Sequence, residues 1–121
     1  MSDLIDVAIR NSAAFHKKDS AAMRSTLHPN YRFKGPMMEM NGPEECVAFM
    51  ENMPFECTDK NARYFQDGNT VVKVFDVVFT QPFQETVSMC EVITFEGGKI
   101  LKSELFYDTA PFTKNGMKES A

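Results

Sequence analysis

The 121-residue chain has no tryptophan, only two histidines and only three cysteines. Each scarcity excludes something. Cys46, Cys57 and Cys90 are odd in number and form no CxxC pair. A disulfide framework or thiolate metal site needs paired thiols, so reduced cysteines in a cytoplasmic protein are the simplest reading. His16 and His28 have no metal-ligand spacing around them, so no metal is expected. No run of basic residues with interleaved aromatics is present. The net charge is −4 and the pI is near 5.1, so a nucleic-acid surface is not expected either. The N-terminal stretch MSDLIDVAIRNSAAF has acids early and no long apolar run, which is the pattern of neither a signal peptide nor a membrane span.

What is present fits one domain with its own core. Hydrophobic residues make up 43% and charged residues 25%, a globular balance at this length. Eleven Phe and nine Met stand out. Methionine is flexible and polarisable, so this mix suits either an ordinary core or an adaptable apolar pocket.

Helical spacing of Leu4, Ile5, Ala8, Ile9 and Phe15 predicts a first helix over residues 3–17. Asp19 and Ser20 read as the cap of a short second helix, SAAMRSTL, ending before Pro29. YRF reads as a short strand and KGPMMEMNG as a loop. Gly42-Pro43-Glu44-Glu45 opens a third helix to about Met53, with its acids at the positive end of the helix dipole. Four runs rich in β-branched and aromatic residues follow: NARYFQ, TVVKVFDVVFT, ETVSMCEVITF and KILKSELFYD. Three helices followed by a mostly antiparallel sheet give an expected class of α+β. Residues 1–112 form the domain, and 113–121 read as a flexible tail.

Glu91 is the residue that asks for a function. It shares a strand face with Val87, Met89, Ile93 and Phe95, all apolar. Its surroundings depend on the Glu96-Gly97-Gly98 turn, because side chains alternate and register decides which share a face. A two-residue Gly-Gly turn sets Glu91 opposite Glu104, and like charges directly opposite repel. A three-residue loop pairs Phe95 with Lys99, sets Glu91 opposite Ser103, and adds Leu101, Leu105 and Tyr107 to its face. The hydrophobic pattern favours the second register. A carboxyl on an apolar concave surface resists ionisation, so it can donate a hydrogen bond or act as a general acid or base.

Other candidates have bland readings beside the chemical ones. Tyr31 could bring its hydroxyl to a pocket mouth or hold its tip in water. Asp76 shares a face with Val74 and Val78 and could be a second pocket acid or a dimer-face or edge carboxylate. Glu39, in the loop, could swing in as a base, with solvent exposure as its bland reading. His16 beside Lys17 and Lys18 reads as a solvated charge at the C-terminal end of a helix. Phe49, Met50 and Met53 read as core, and Cys90, opposite in face to Glu91, as inert.

The run AAFHKKDSAAMRSTLHPNYRFKGP followed by NGPEECVAFM resembles the nuclear-transport-factor-2-like superfamily, in particular SnoaL-like polyketide cyclases and ketosteroid isomerases. The hairpin from Phe95 to Ile100 completes the pattern. The resemblance implies a cystatin-like cone, with the three N-terminal helices packed in the concave face of a curved, mostly antiparallel sheet around a central apolar pocket. It also implies a homodimer through the outer sheet face, to which Ile100, Phe106 and one side of the 70–80 strand would contribute. Carried over residue by residue, the isomerase general base falls on Gly35, its phenol donor on Asn11 and its protonated acid on Glu91. The absent base argues against isomerisation. The catalytic Asp of limonene epoxide hydrolases falls on Leu105, and the ending Tyr107-Asp108 resembles that of SnoaL-like proteins.

These readings converge on a SnoaL-like protein that binds an apolar small molecule. If it is an enzyme, cofactor-free acid–base chemistry on a carbonyl or cyclic compound is the expectation. Glu91, Tyr107 and Asn11 form the catalytic set, and Ser103, Tyr31, Leu105 and Met89 line the substrate. The alternative is a non-catalytic binding or dimerisation module with the same fold.

Overall fold

The computed structural model describes residues 3–117. Asp3 caps α1 (Leu4–Lys17) by accepting the Asp6 amide, and Lys18 ends it in a left-handed conformation. Asp19 accepts the Ala22 amide at 3.1 Å and starts α2 (Ser20–Thr26). After β1 (Leu27–Lys34) and the short β2 (Glu39–Asn41), Gly42 at φ +90° and Pro43 open α3 (Pro43–Asn52). Four long strands follow: β3 (Glu56–Asp67), β4 (Thr70–Gln81), β5 (Glu85–Glu96) and β6 (Lys99–Tyr107). A short α4 (Ala110–Thr113) closes the described chain.

The six strands form one sheet in the order β2-β1-β6-β5-β4-β3. All neighbours are antiparallel except β1 and β6. This is the expected α+β cone, with two additions. β1 runs beyond YRF, and β2 lies inside the stretch expected to be loop, where Arg32 pairs with Asn41 across the Gly35-Pro36 turn. α4 also crosses the expected boundary at residue 112. The Met117 amide bonds the Phe112 carbonyl at 3.1 Å, and Met117 packs on the core. The rest of the predicted flexible tail, 118–121, lies outside the described residues.

The β5–β6 hairpin corrects the expected register. Gly97 and Gly98 both have positive φ, so a two-residue turn forms and Glu96 pairs with Lys99. Phe95 then pairs with Ile100 and Thr94 with Lys102, which leaves Leu101 as a bulge. One extra residue reverses side-chain parity, so the bulge does the work expected of a longer loop. Glu91 therefore faces Leu105 rather than Ser103, and Ser103 faces Ile93. The inward set keeps Ser103, Leu105 and Tyr107, while Leu101 is the unpaired residue. Ile100, expected on the outer face, lies before the bulge and is 1% exposed in the core.

The interior holds two apolar clusters. One is mostly aliphatic and is filled by the helices: Ala8, Ala14, Met23, Val47 and Met50 meet Val71, Ile93 and Ile100 from the sheet. The other is aromatic. In it Phe55, Phe79, Phe83 and Phe112 pack ring on ring with centroids 5.2–6.4 Å apart.

Candidate functional site

Polar side chains stand at the inner sheet surface in the neighbourhood of these clusters. Along β4 the inward residues are Val71, Lys73, Phe75, Val77 and Phe79, all buried. Lys73 stands directly opposite Glu91 on β5. A bulge in β3 between Lys60 and Arg63, with Asn61 at φ +57°, turns both Asp59 and Tyr64 to the same inner face. The pairings Asp59–Val77 and Tyr64–Lys73 follow from that bulge.

Asp59 is the hub. Lys73 Nζ donates to Asp59 Oδ2 at 2.5 Å and to Ser12 Oγ at 3.2 Å. Ser12 Oγ donates to Asp59 Oδ2 at 3.0 Å, and His16 Nε2 lies 3.0 Å from Asp59 Oδ1. Burial alone would raise the Asp59 pKa, but the bonds from His16 and Lys73 outweigh it and bring the carboxyl to about 2. Asp59 in turn, with help from Cys57, raises His16 to about 9. The Lys73 side chain is only 5% exposed, and its ammonium also sits 4.0 Å from the Phe75 ring centroid.

Glu91 behaves oppositely. Burial is the largest influence and raises its pKa, and the Asp59 charge adds to this, while Lys73 and Ser103 pull the other way. Ser103 is 3% exposed, and its hydroxyl pulls the pKa of both Glu91 and the Tyr31 phenol down, against their burial. Tyr31 is held well above its ordinary value by burial, then by Cys46 and the Glu91 charge. Cys46 is pushed up to about 11, again by burial and then by Glu91. Two carboxyls on one face are thus driven apart: the Asp59 pKa is brought down and the Glu91 pKa is raised.

The structure brings together Glu91, Ser103, Leu105, Met89 and Tyr31. Tyr31 is 5% exposed, so its tip is in the protein rather than in water. Tyr107 is on the same face, paired with Met89, and its ring meets Phe112 edge-on at 5.2 Å. Asn11 does not join them. Its amide donates to Thr26 Oγ1 at 2.9 Å and lies 3.2 Å from Met23 Sδ, in the contact between α1 and α2. Gly35 offers no side chain, and Glu39 is exposed. Asp76 lies on the outer face, bonded by Ser88 and Asn61. Asp108 is exposed and accepts the Ala110 amide.

Reading from residues missed the Asp59–Lys73–His16 group. The signal for Lys73 was available, a single cation in the alternating set Val71, Phe75, Val77, Phe79. Asp59 was not legible, because its face depends on the β3 bulge. His16 is not the solvated helix-end charge expected of it, since Asp59 reaches it from another element.

Two clefts of about 290 and 280 Å³ are present, one on the flank beside His16 and one between α1 and α2. Neither is lined by Glu91. Among the described residues no helix is long and apolar enough to cross a membrane. No group of three or more His, Cys, Asp or Glu among them is placed to hold a metal ion.

An α-helical layer inside a curved, mostly antiparallel sheet defines a cone fold of the nuclear-transport-factor-2-like class. The SnoaL-like domain family matches residues 9–103, and the chain belongs to it. No curated protein matches the chain by sequence. Its fold is similar to that of a nuclear-transport-factor-2-like protein of unknown function from Cytophaga hutchinsonii, with TM-score 0.81, 21% identity, and 93% and 96% of the two chains covered. TerC, co-crystallised with polyporic acid, is similar with TM-score 0.80, 19% identity and coverage of 93% and 97%. An epoxide hydrolase from M. tuberculosis resembling limonene epoxide hydrolases gives TM-score 0.77, 16% identity and coverage of 92% and 86%. At these identities the likeness is one of fold.

Proposed function

We propose that this protein binds an apolar carbonyl-containing or cyclic small molecule against the inner face of the sheet and acts on it by cofactor-free acid–base chemistry. The observation that carries the reading is Glu91, a carboxyl whose burial on an apolar face raises its pKa, with Ser103 on the same face of the neighbouring strand and Lys73 directly opposite. In its neutral form Glu91 donates a hydrogen bond or proton to a substrate oxygen. The carboxylate left behind is stabilised by the Lys73 charge opposite and by the Ser103 hydroxyl. Leu105 and Met89 would bound the substrate on either side of Glu91, and Tyr107 would present its phenol two residues along β6. Asn11, with its donor committed to Thr26, is left as a support for the contact between helices. TerC and the M. tuberculosis hydrolase are described by a small organic ligand and by epoxide chemistry respectively, which supports a small molecule as the partner.

The alternative, a binding or association module, is favoured by one observation. The outer sheet face exposes Phe65 at 53% and Phe106 at 54%, and this is the face we assign to a homodimer. We also place the protein in the cytoplasm on its unpaired cysteines. Glu91→Gln separates the readings. A screen of cyclic ketones and epoxides should show turnover by the wild type and loss of turnover with retained binding in the variant. Turnover that survives the substitution would overturn the acid–base role.

A further inference from the structure

The flank cleft of about 290 Å³ opens beside the C-terminal end of α1 and the first residues of β3. Phe15, Met53 and Phe55 give it an apolar wall, and His16 and Lys18 give it cations. Its volume is at the low end of small-molecule pockets, roughly 300–1,000 Å³, which suits a single-ring compound.

The charges behind the wall are unequal. Asp59 is one carboxylate shared by two cations, Lys73 on Oδ2 and His16 on Oδ1. Lys73 is enclosed, with Ser12 within hydrogen-bond distance and Glu91 opposite it on β5. Of the two cations on Asp59, the one that meets solvent is His16, whose ring is 26% exposed and lines the cleft. Lys18 adds a second cation there and donates to the Met53 carbonyl at 3.3 Å, which leaves other N–H bonds to give. Glu56 is the one carboxylate among the lining residues.

We propose that this cleft is a second binding site, separate from Glu91, for a small organic carboxylate with an apolar body. The carboxylate sits between His16 and Lys18, and the body lies against Phe15, Met53 and Phe55. Neutral His16 would not serve, and its tendency to hold a proton up to about pH 9 keeps the site charged under ordinary conditions. The titratable and polar groups around His16 are Asp59, Cys57 and Glu56 on β3, Lys18 beyond α1, Ser12 on α1 and, through Asp59, Lys73 on β4.

The test is an NMR titration of the wild-type protein with sodium benzoate and, separately, with benzamide. Benzoate should saturate the His16 ring and Lys18 signals, raise the His16 titration midpoint, and bind about tenfold tighter than benzamide, the worth of one charge-assisted hydrogen bond. The preference should fade as the pH passes about 9. His16→Gln and, independently, Lys18→Met should reduce it, while Glu91→Gln should leave it intact. Equal binding of benzamide overturns the inference, as does the absence of saturable benzoate binding. Benzoate shifts centred on Glu91, Leu105 and Tyr107 would also overturn it, and would support the Glu91 site instead.

Discussion

The two apolar clusters of the interior are built by different means. In the aliphatic cluster, side chains from α1, α2 and α3 meet the sheet, and Met50 and Val71 are fully buried. Each packing residue there is held by a helix or strand of its own. In the aromatic cluster the rings come from β4, from segments beside strands such as Phe55 and Phe83, and from Phe112 in a four-residue helix. In the first cluster every buried side chain is carried by a helix or a strand. In the second, β4 and β5 carry most of the buried residues, but Phe55, Phe83 and Phe112 lie outside the sheet and are held mainly by ring contacts, so that part repacks at lower cost. The difference teaches that the two clusters need not open together.

The largest expected effect tests the buried ion pair. Asp59→Ala leaves the Lys73 charge enclosed and should cost about 3 kcal/mol, the lower end for a broken buried pair, since Asp59 keeps some exposure. Asp59→Leu combined with Lys73→Met should recover most of that loss in urea unfolding. A single-variant cost below about 1 kcal/mol would mean that the pair is solvated.

The cluster comparison itself is tested by Met50→Ala and Phe112→Ala. The first leaves a cavity among helices and should cost about 3 kcal/mol. The second should cost about half as much, because α4 can shift to fill the space, and should speed amide exchange over 105–117. Equal costs would break the comparison.

Acid and base titration give smaller effects of defined sign. The His16 pKa is raised from 6.5 to about 9, so its contribution is complete below 6.5 and lost as the pH rises through 9. The Asp59 pKa is lowered from 3.8 to about 2, so its contribution is present above 3.8 and lost as the pH falls through 2. His16→Gln should therefore cost about 1–2 kcal/mol at pH 6, after allowing for solvent screening of a partly exposed ring, and almost nothing above pH 10.

Glu91→Gln should have the smallest effect on stability, and in the opposite direction. A carboxyl whose folded pKa is raised opposes folding once the pH exceeds its unfolded value, so the variant gains over the wild type as the pH rises from 4 to 7. Thermal unfolding across that range checks it, and a loss at pH 7 would mean that the Ser103 and Lys73 contacts outweigh burial.

Much of the fold was legible because local chemistry repeats along the chain. Asp19 and the Gly42-Pro43 step mark helix starts where the helices begin, and alternation in β5 assigns its buried face, whereas β4 is apolar on both faces and left the side of Asp76 open. The site was legible only where one strand carried it. Glu91, Met89 and the inward parity of Ser103, Leu105 and Tyr107 could be read, although the turn was two residues with a bulge at Leu101 rather than a three-residue loop.

The amino-acid sequence by itself determined that one acid and one cation stand on apolar strand faces, since period-two alternation is a property of each strand alone. Tertiary structure decided that Lys73 faces Glu91, that the β3 bulge turns Asp59 inward, and that α1 delivers His16 and Ser12 to the same carboxylate. Those outcomes depend on register, bulges and helix docking, which compare free energies across distant parts of the chain and leave no local mark at the residues they join.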